Sequence, residues 1–143
     1  MIRLQAAQVD TLWDPLLPAE VRALPHDLAR LDQLLSAPEL LRPFKTHWEQ
    51  EHLRFGRPSI PMAIYLRLMV IKQRMGWGYE TLVREVADSF HLRRFCLLSL
   101  DQAVPDESTL RKLTRRLGPE LVDELIRETV RLALREQIGR AHV

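Results

Sequence analysis

The sequence of 143 residues has one cysteine, five glycines and no long apolar run. A single cysteine, Cys96, excludes a disulfide framework and is typical of a reducing compartment. No uninterrupted apolar stretch approaches the roughly 18 residues that a membrane-spanning helix needs, and the N-terminus lacks the pattern of a signal peptide. We therefore expect a soluble cytoplasmic protein without a membrane partner.

Signals for β-structure are also scarce. Leucine occurs 26 times, whereas valine, isoleucine and threonine together occur 21 times, and the hairpin dipeptides Asn-Gly and Asp-Gly are absent. The hydrophobic content of 46% excludes disorder as the default state. The sequence thus predicts an all-α fold, a compact multi-helix domain.

Prolines and glycines divide the sequence into predicted helices. Ser59 is a candidate N-cap for a helix that is apolar almost all round and that Gly76 ends, whereas Pro43 is expected to disturb the helix that contains it. An amphipathic stripe runs as far as Phe90. The predicted helices span residues 18–24, 26–36, 38–53, 60–75, 79–90, 91–97, 106–118 and 119–136.

Charge is distributed unevenly and suggests a division of the chain. Residues 1–56, an N-terminal helical segment, have a net charge of −2, and residues 119–143 have −1. Residues 57–118 carry 11 basic and six acidic side chains, a net charge of +5, which favours a polyanionic partner. Because 18 of the 21 basic residues are arginine, genome composition is the alternative explanation.

The predicted helix at residues 106–118 separates apolar from polar residues. Leu110, Leu113 and Leu117 share one side, and Glu107 lies at the margin in the first turn. The opposite face carries four cations and two hydroxyls and no acid: Ser108, Thr109, Arg111, Lys112, Arg115 and Arg116.

Such a helix can pack by its apolar side and present hydrogen-bond donors to the major groove of DNA. The residues nearer its N-terminal end are predicted to read bases: Ser108, Thr109, Arg111 and Lys112. The two residues a turn further on are predicted to bind phosphates: Arg115 and Arg116. The helix at 79–90 would brace this one in a helix-turn-helix-like arrangement, although residues 91–105 are too long for a simple turn. A solvated basic face on a core helix is the alternative.

Five segments together carry a resemblance to a known family: residues 56–61, 65–68, 78–89, 93–96 and 104–110. They read GRPSIP, YLRL, GYETLVREVADS, RRFC and VPDESTL. In order and spacing they resemble the N-terminal domain of bacterial insertion-sequence transposases, the InsH-like, IS-five-type group of DDE transposases. The resemblance extends from about residue 16 to about residue 135.

The resemblance implies a helical domain that binds double-stranded DNA at the terminal inverted repeats of a mobile element, and it leaves a homodimer open. In the family this domain precedes an RNase-H-like catalytic domain, in which two Asp and one Glu bind two divalent metals. Those carboxylates are expected after the region where this chain stops. We therefore expect a truncated transposase with no catalytic residue, no metal or other cofactor and no enzymatic activity of its own.

The C-terminal part is interpreted on the same resemblance. Residues 119–136 would lead toward the catalytic domain, whereas residues 137–143 read like translated sequencing-adapter DNA and are expected to be non-native. The leucine-rich N-terminal third and the stripe at residues 121–133 leave open another class, a helical interaction or oligomerisation protein without a nucleic-acid role.

Other chemistry finds little support in the sequence. Cys96 and the three tryptophans are expected to be packing residues. The five histidines do not have the spacing of metal ligands: His26, His47, His52, His91 and His142. An independent enzyme is therefore the least favoured class.

Overall fold

The computed structural model describes residues 26–56 and 58–141, and these residues form seven helices and no strand. The all-α prediction is confirmed, and the predicted helix at residues 18–24 lies outside the described residues. No described helix is long and apolar enough to cross a membrane. The helices are α1 (His26–Leu35), α2 (Pro38–Phe55), α3 (Met62–Met75), α4 (Tyr79–Ala87), α5 (Phe90–Phe95), α6 (Glu107–Leu117) and α7 (Pro119–Ala141).

Helix α3 lies in the middle of the fold. Its residues 64–71 are all buried, as its nearly continuous apolar character predicts, and it contacts both α4 and α7. Helix α7 also contacts α1, α2 and α6, so the long C-terminal helix packs against most of the bundle. The αL conformation of Gly76, with φ of 69°, ends α3 where the sequence predicted it to end.

One charged residue lies inside this apolar helix. The side chain of Arg67 is 3% exposed and forms an ion pair with Asp32 on α1. Its Nη1 donates to the carbonyl oxygen of Phe95 at 3.1 Å, and its guanidinium lies 5.3 Å from the centre of the Phe95 ring. Nη2 lies 3.4 Å from the hydroxyl of Ser36. Arg67 therefore ties α3 to α1 and to the last residue of α5.

The start of α3 differs from the prediction. The helix begins at Met62 with Pro61 as its N-cap residue, so the predicted cap at Ser59 is wrong. Steric conflict with a following proline disfavours the helical conformation, and Ile60 precedes Pro61. Ile60 is instead buried in the connection, where it is 5% exposed.

The division between the predicted helices at residues 79–90 and 91–97 lies earlier in the structure than predicted. Helix α4 ends at Ala87, and the hydroxyl of Ser89 accepts a hydrogen bond from the amide of Leu92, which caps α5. Nε of Arg93 donates a hydrogen bond to the carbonyl oxygen of Ala87 at 2.9 Å. Phe90, expected on the apolar stripe, is the first residue of α5 and is 49% exposed.

Two further boundaries also differ. Helix α2 continues to Phe55 rather than to about residue 53, with Pro43 inside it, although proline donates no backbone hydrogen bond there. Helix α7 continues to Ala141 rather than to about residue 136. It thus includes part of the segment 137–143, whose non-native origin stays a prediction.

We expect Asp32→Ala to lower the free energy of unfolding by about 3–5 kcal/mol, because it leaves the buried charge of Arg67 without its ionic partner. Chemical denaturation followed by circular dichroism measures this change. The double variant Asp32→Leu with Arg67→Met removes both charges and should recover much of the loss. A loss of under about 1 kcal/mol for Asp32→Ala would contradict the role given to this pair.

Candidate nucleic-acid interface

Helix α6 begins at a side-chain cap. The carboxylate of Asp106 accepts hydrogen bonds from the amide of Thr109 at 2.8 Å and from the hydroxyl of Ser108 at 3.1 Å. Hydrogen bonds from the side chain and backbone of Thr109 hold the pKa of Asp106 below its ordinary value, helped by Ser108 and by the charge of Lys112. Ser108 and Thr109, both predicted to read bases, are thus part of the helix cap.

The apolar side of α6 is buried as predicted. Leu110 is fully buried, Leu113 and Leu117 are each 5% exposed, and the helix contacts α2, α4 and α7. These leucines fix which face of α6 points outward.

Two polar contacts fix α6 further. The hydroxyl groups of Tyr65 on α3 and Thr114 are 2.6 Å apart, and burial raises the pKa of Tyr65 well above its ordinary value, so this phenol stays neutral. At the C-terminal end of the helix, three residues further on, Nε2 of His47 donates to the carbonyl of Leu117 at 2.7 Å. His47, one of the five histidines, therefore provides a hydrogen bond to a backbone carbonyl that has no partner within the helix.

Arg111 is exposed but is not without a partner. Its guanidinium lies 3.3 Å from the carboxylate of Glu107, one turn earlier, and the Arg111 side chain is 53% exposed. The interpretation that the cationic face is unopposed by an acid is wrong here, because residues four apart lie side by side on a helix. The guanidinium of Arg111 also lies 5.5 Å from the centre of the Tyr79 ring.

The other three cations of α6 have two different surroundings. Lys112 and Arg115 are exposed, and no ion pair joins either to another described residue. Arg116 is half-buried, and its Nη2 donates to the carbonyl of Gly56 at 2.9 Å. Gly56 has a φ of 87°, which favours glycine, so Arg116 supports the tight end of α2.

Several other cations of residues 57–118 also have structural roles. Arg67 forms the buried pair, and Nη1 of Arg93 donates to the carbonyls of Ser99 and Gln102 at 3.0 and 2.7 Å. Arg93 thereby holds the connection between α5 and α6. The basic excess is therefore partly internal, and the surface charge around α6 is smaller than the composition suggests.

Of the residues expected to be packing residues, Trp48 and Cys96 are buried, Trp77 is half-buried against the core, and Trp13 lies outside the described residues. Trp48 is 8% exposed and lies against Phe44 and Tyr65. Burial raises the pKa of the Cys96 thiol to about 12, so this side chain is a neutral core residue. Among the described residues, no three His, Cys, Asp or Glu side chains are grouped to hold a metal ion.

Helix α4 contacts α6, as the bracing role of the 79–90 segment predicts. Helix α5 and residues 96–106 lie between the two, so they are not joined by a short turn. The helix-turn-helix-like subregion and the division of residues 1–56, 57–118 and 119–136 stay predictions.

The fold and the α6 surface define a class, an all-α domain that holds a cationic helix by its apolar side. Residues 18–116 match the family model described as a transposase domain (DUF772), and the chain belongs to this family. Its role is accordingly in transposition. No curated protein and no solved structure matches the chain.

The cap of α6 gives a pH-dependent prediction. Because folding lowers the pKa of Asp106, its contribution to stability is full above the unfolded pKa of about 3.9 and is lost as the pH falls through the folded value. Asp106→Ala should lower the Tm at pH 7, and its difference from the wild type should shrink in acid. Asp106→Asn, which can still cap, should stay closer to the wild type at pH 7. Thermal melts across pH measure both effects, and a pH-independent difference for Asp106→Ala would contradict the cap.

Proposed function

We propose that this domain binds duplex DNA at the terminal inverted repeats of a mobile element through α6, as the end-recognition part of an IS-five-type DDE transposase. The proposal rests on which side of α6 is buried and which side is exposed. Its leucines are buried, whereas Arg111, Lys112 and Arg115 are exposed on the outer side. Membership of a transposase family and the motif resemblance support DNA as the polyanion.

The acids at the start of α6 favour the proposed order of contacts along the helix. Asp106 and Glu107 repel phosphates, so the DNA backbone is disfavoured at the N-terminal end. Base edges, which carry donors and acceptors rather than full charges, suit that end better. Phosphate binding is accordingly assigned to Arg115, which lies two turns beyond the acids and is exposed.

The pair between Glu107 and Arg111 is compatible with DNA binding. Exposed pairs four residues apart on a helix contribute only about 0.3–0.5 kcal/mol. Guanine offers an arginine two acceptors in the plane of its guanidinium, and such a contact is worth about 1–3 kcal/mol. Arg111 is therefore proposed to exchange Glu107 for a base.

The remaining predicted contacts have smaller roles in this proposal. Ser108 and Thr109 keep their bonds to Asp106 and add hydrogen bonds of their hydroxyls at the base edges. Arg116 keeps its bond to Gly56 and contributes charge more than a directed contact. Lys112 is proposed as the second main base contact because its ammonium is exposed.

Strand cleavage is proposed to belong to a separate RNase-H-like domain with two divalent metals. Here the metals would activate water or a 3′ hydroxyl, and no step of that chemistry is assigned to residues 26–141. The domain is thus proposed to bind and position the element ends, without a cofactor.

The double variant Arg111→Ala with Lys112→Ala should lose most of its preference for terminal-repeat duplexes over scrambled ones. Each good base contact is worth about 1–3 kcal/mol, so the ratio of the two Kd values should fall at least tenfold. Fluorescence anisotropy with both duplexes at several salt concentrations measures this ratio and its salt dependence.

The matched control is Arg127→Ala on α7, because Arg127 is exposed and pairs with Asp123 in the same i, i+4 geometry. It should leave the ratio of Kd values unchanged. An unchanged ratio in the α6 double variant as well would contradict the assignment of this helix.

Glu107→Gln should tighten DNA binding roughly two- to threefold, because it removes one repulsive charge and the weak pair of Arg111. The same titrations measure the change. Glu128→Gln is the control, since Glu128 pairs with Arg131 on the exposed side of α7 and should have no effect. Weaker binding by Glu107→Gln would mean that the carboxylate itself contacts the DNA.

A further inference from the structure

Tyr79 joins two cations that belong to different helices. It is the first residue of α4 and is half-buried. The ammonium of Lys72 on α3 lies 4.6 Å from the centre of its ring, and the guanidinium of Arg111 on α6 lies 5.5 Å from the same point. Both distances are within the range of cation–π attraction. The two charges are therefore no further apart than the sum of these distances.

The surroundings of this ring indicate which side faces a polyanion. Tyr79 and Lys72 line a cavity of about 340 Å³ together with Glu120 and Asp123 at the start of α7. These carboxylates disfavour phosphate inside the cavity. Arg111, the second cation beside the ring, is not among the residues that line the cavity and is exposed on α6.

The relative placement of α3 and α6 is fixed. The hydroxyl groups of Tyr65 on α3 and Thr114 on α6 are 2.6 Å apart in the buried interior, and this hydrogen bond joins the two helices. Lys72 follows the buried run of α3, so its backbone is held by the core. The positions of Lys72 and Arg111 are thereby set by the fold and not by a loop.

We propose that Tyr79 is a positioning residue that holds Arg111 for its base contact. This inference rests on the proposed function. A restrained arginine loses less side-chain entropy when it binds. Since the ring carries no charge, its contact with Arg111 can persist when a base replaces Glu107.

The positioning role is tested with Tyr79→Leu, Tyr79→Phe and Arg111→Ala, alone and combined. Tyr79→Leu should weaken binding to the terminal-repeat duplex roughly two- to fivefold, the size of a surface cation–π contact, and Tyr79→Phe should restore it. In the Arg111→Ala background the leucine variant should have no further effect, because the residue that the ring positions is gone. Thermal melts of each variant check that the fold is retained.

The outcomes separate the inference from the proposed function. If the wild type binds terminal repeats specifically but the effects of Tyr79→Leu and Arg111→Ala simply add, the positioning role is overturned and the proposed function stands. If Tyr79→Phe fails to restore binding, the hydroxyl and not the ring is responsible, which also overturns the positioning role. If the wild type binds no duplex at low salt, both proposals are overturned.

Discussion

The charge of Arg67 is the constraint on which the rest of the fold depends. A guanidinium that is buried in an apolar helix must be paired and hydrogen-bonded, and Asp32, Ser36 and the carbonyl of Phe95 supply those partners. Three helices therefore have to meet at one point. Because Phe95 ends α5, the same contact fixes where the connection to α6 begins.

The cations of this domain fall into two groups that composition cannot separate. Arg67, Arg93 and Arg116 hold backbone or buried groups in place, whereas Arg111, Lys112 and Arg115 lie on the exposed face of α6. The net charge of residues 57–118 counts both groups equally. The structure thus replaces an argument from total charge with one from position.

The sequence predicted the helices well where local signals decide them. The start of α6 near residue 106, the buried leucines of α6 and the glycine after α3 follow from spacing and residue type. The exposure of Phe90 was missed because the capping Ser89 starts a new helix there. The start of α3 was missed because Pro61 disfavours a helical Ile60. The pairing of Arg67 with Asp32 needs a partner 35 positions away, and Tyr79 beside Arg111 needs the packing of α4 on α6. Of these contacts, only the pair of Glu107 with Arg111 could have been predicted from local spacing, because its residues are four positions apart.

Arg93 has a consequence for how such domains diverge. Its guanidinium donates hydrogen bonds to the carbonyls of Ala87, Ser99 and Gln102, and these bonds fix the path of the segment before α6. An insertion there would disturb these hydrogen bonds, whereas replacing an exposed side chain on α6 leaves them untouched. On the proposed function, relatives with different DNA targets are expected to keep the length of this segment and to differ by substitutions on α6.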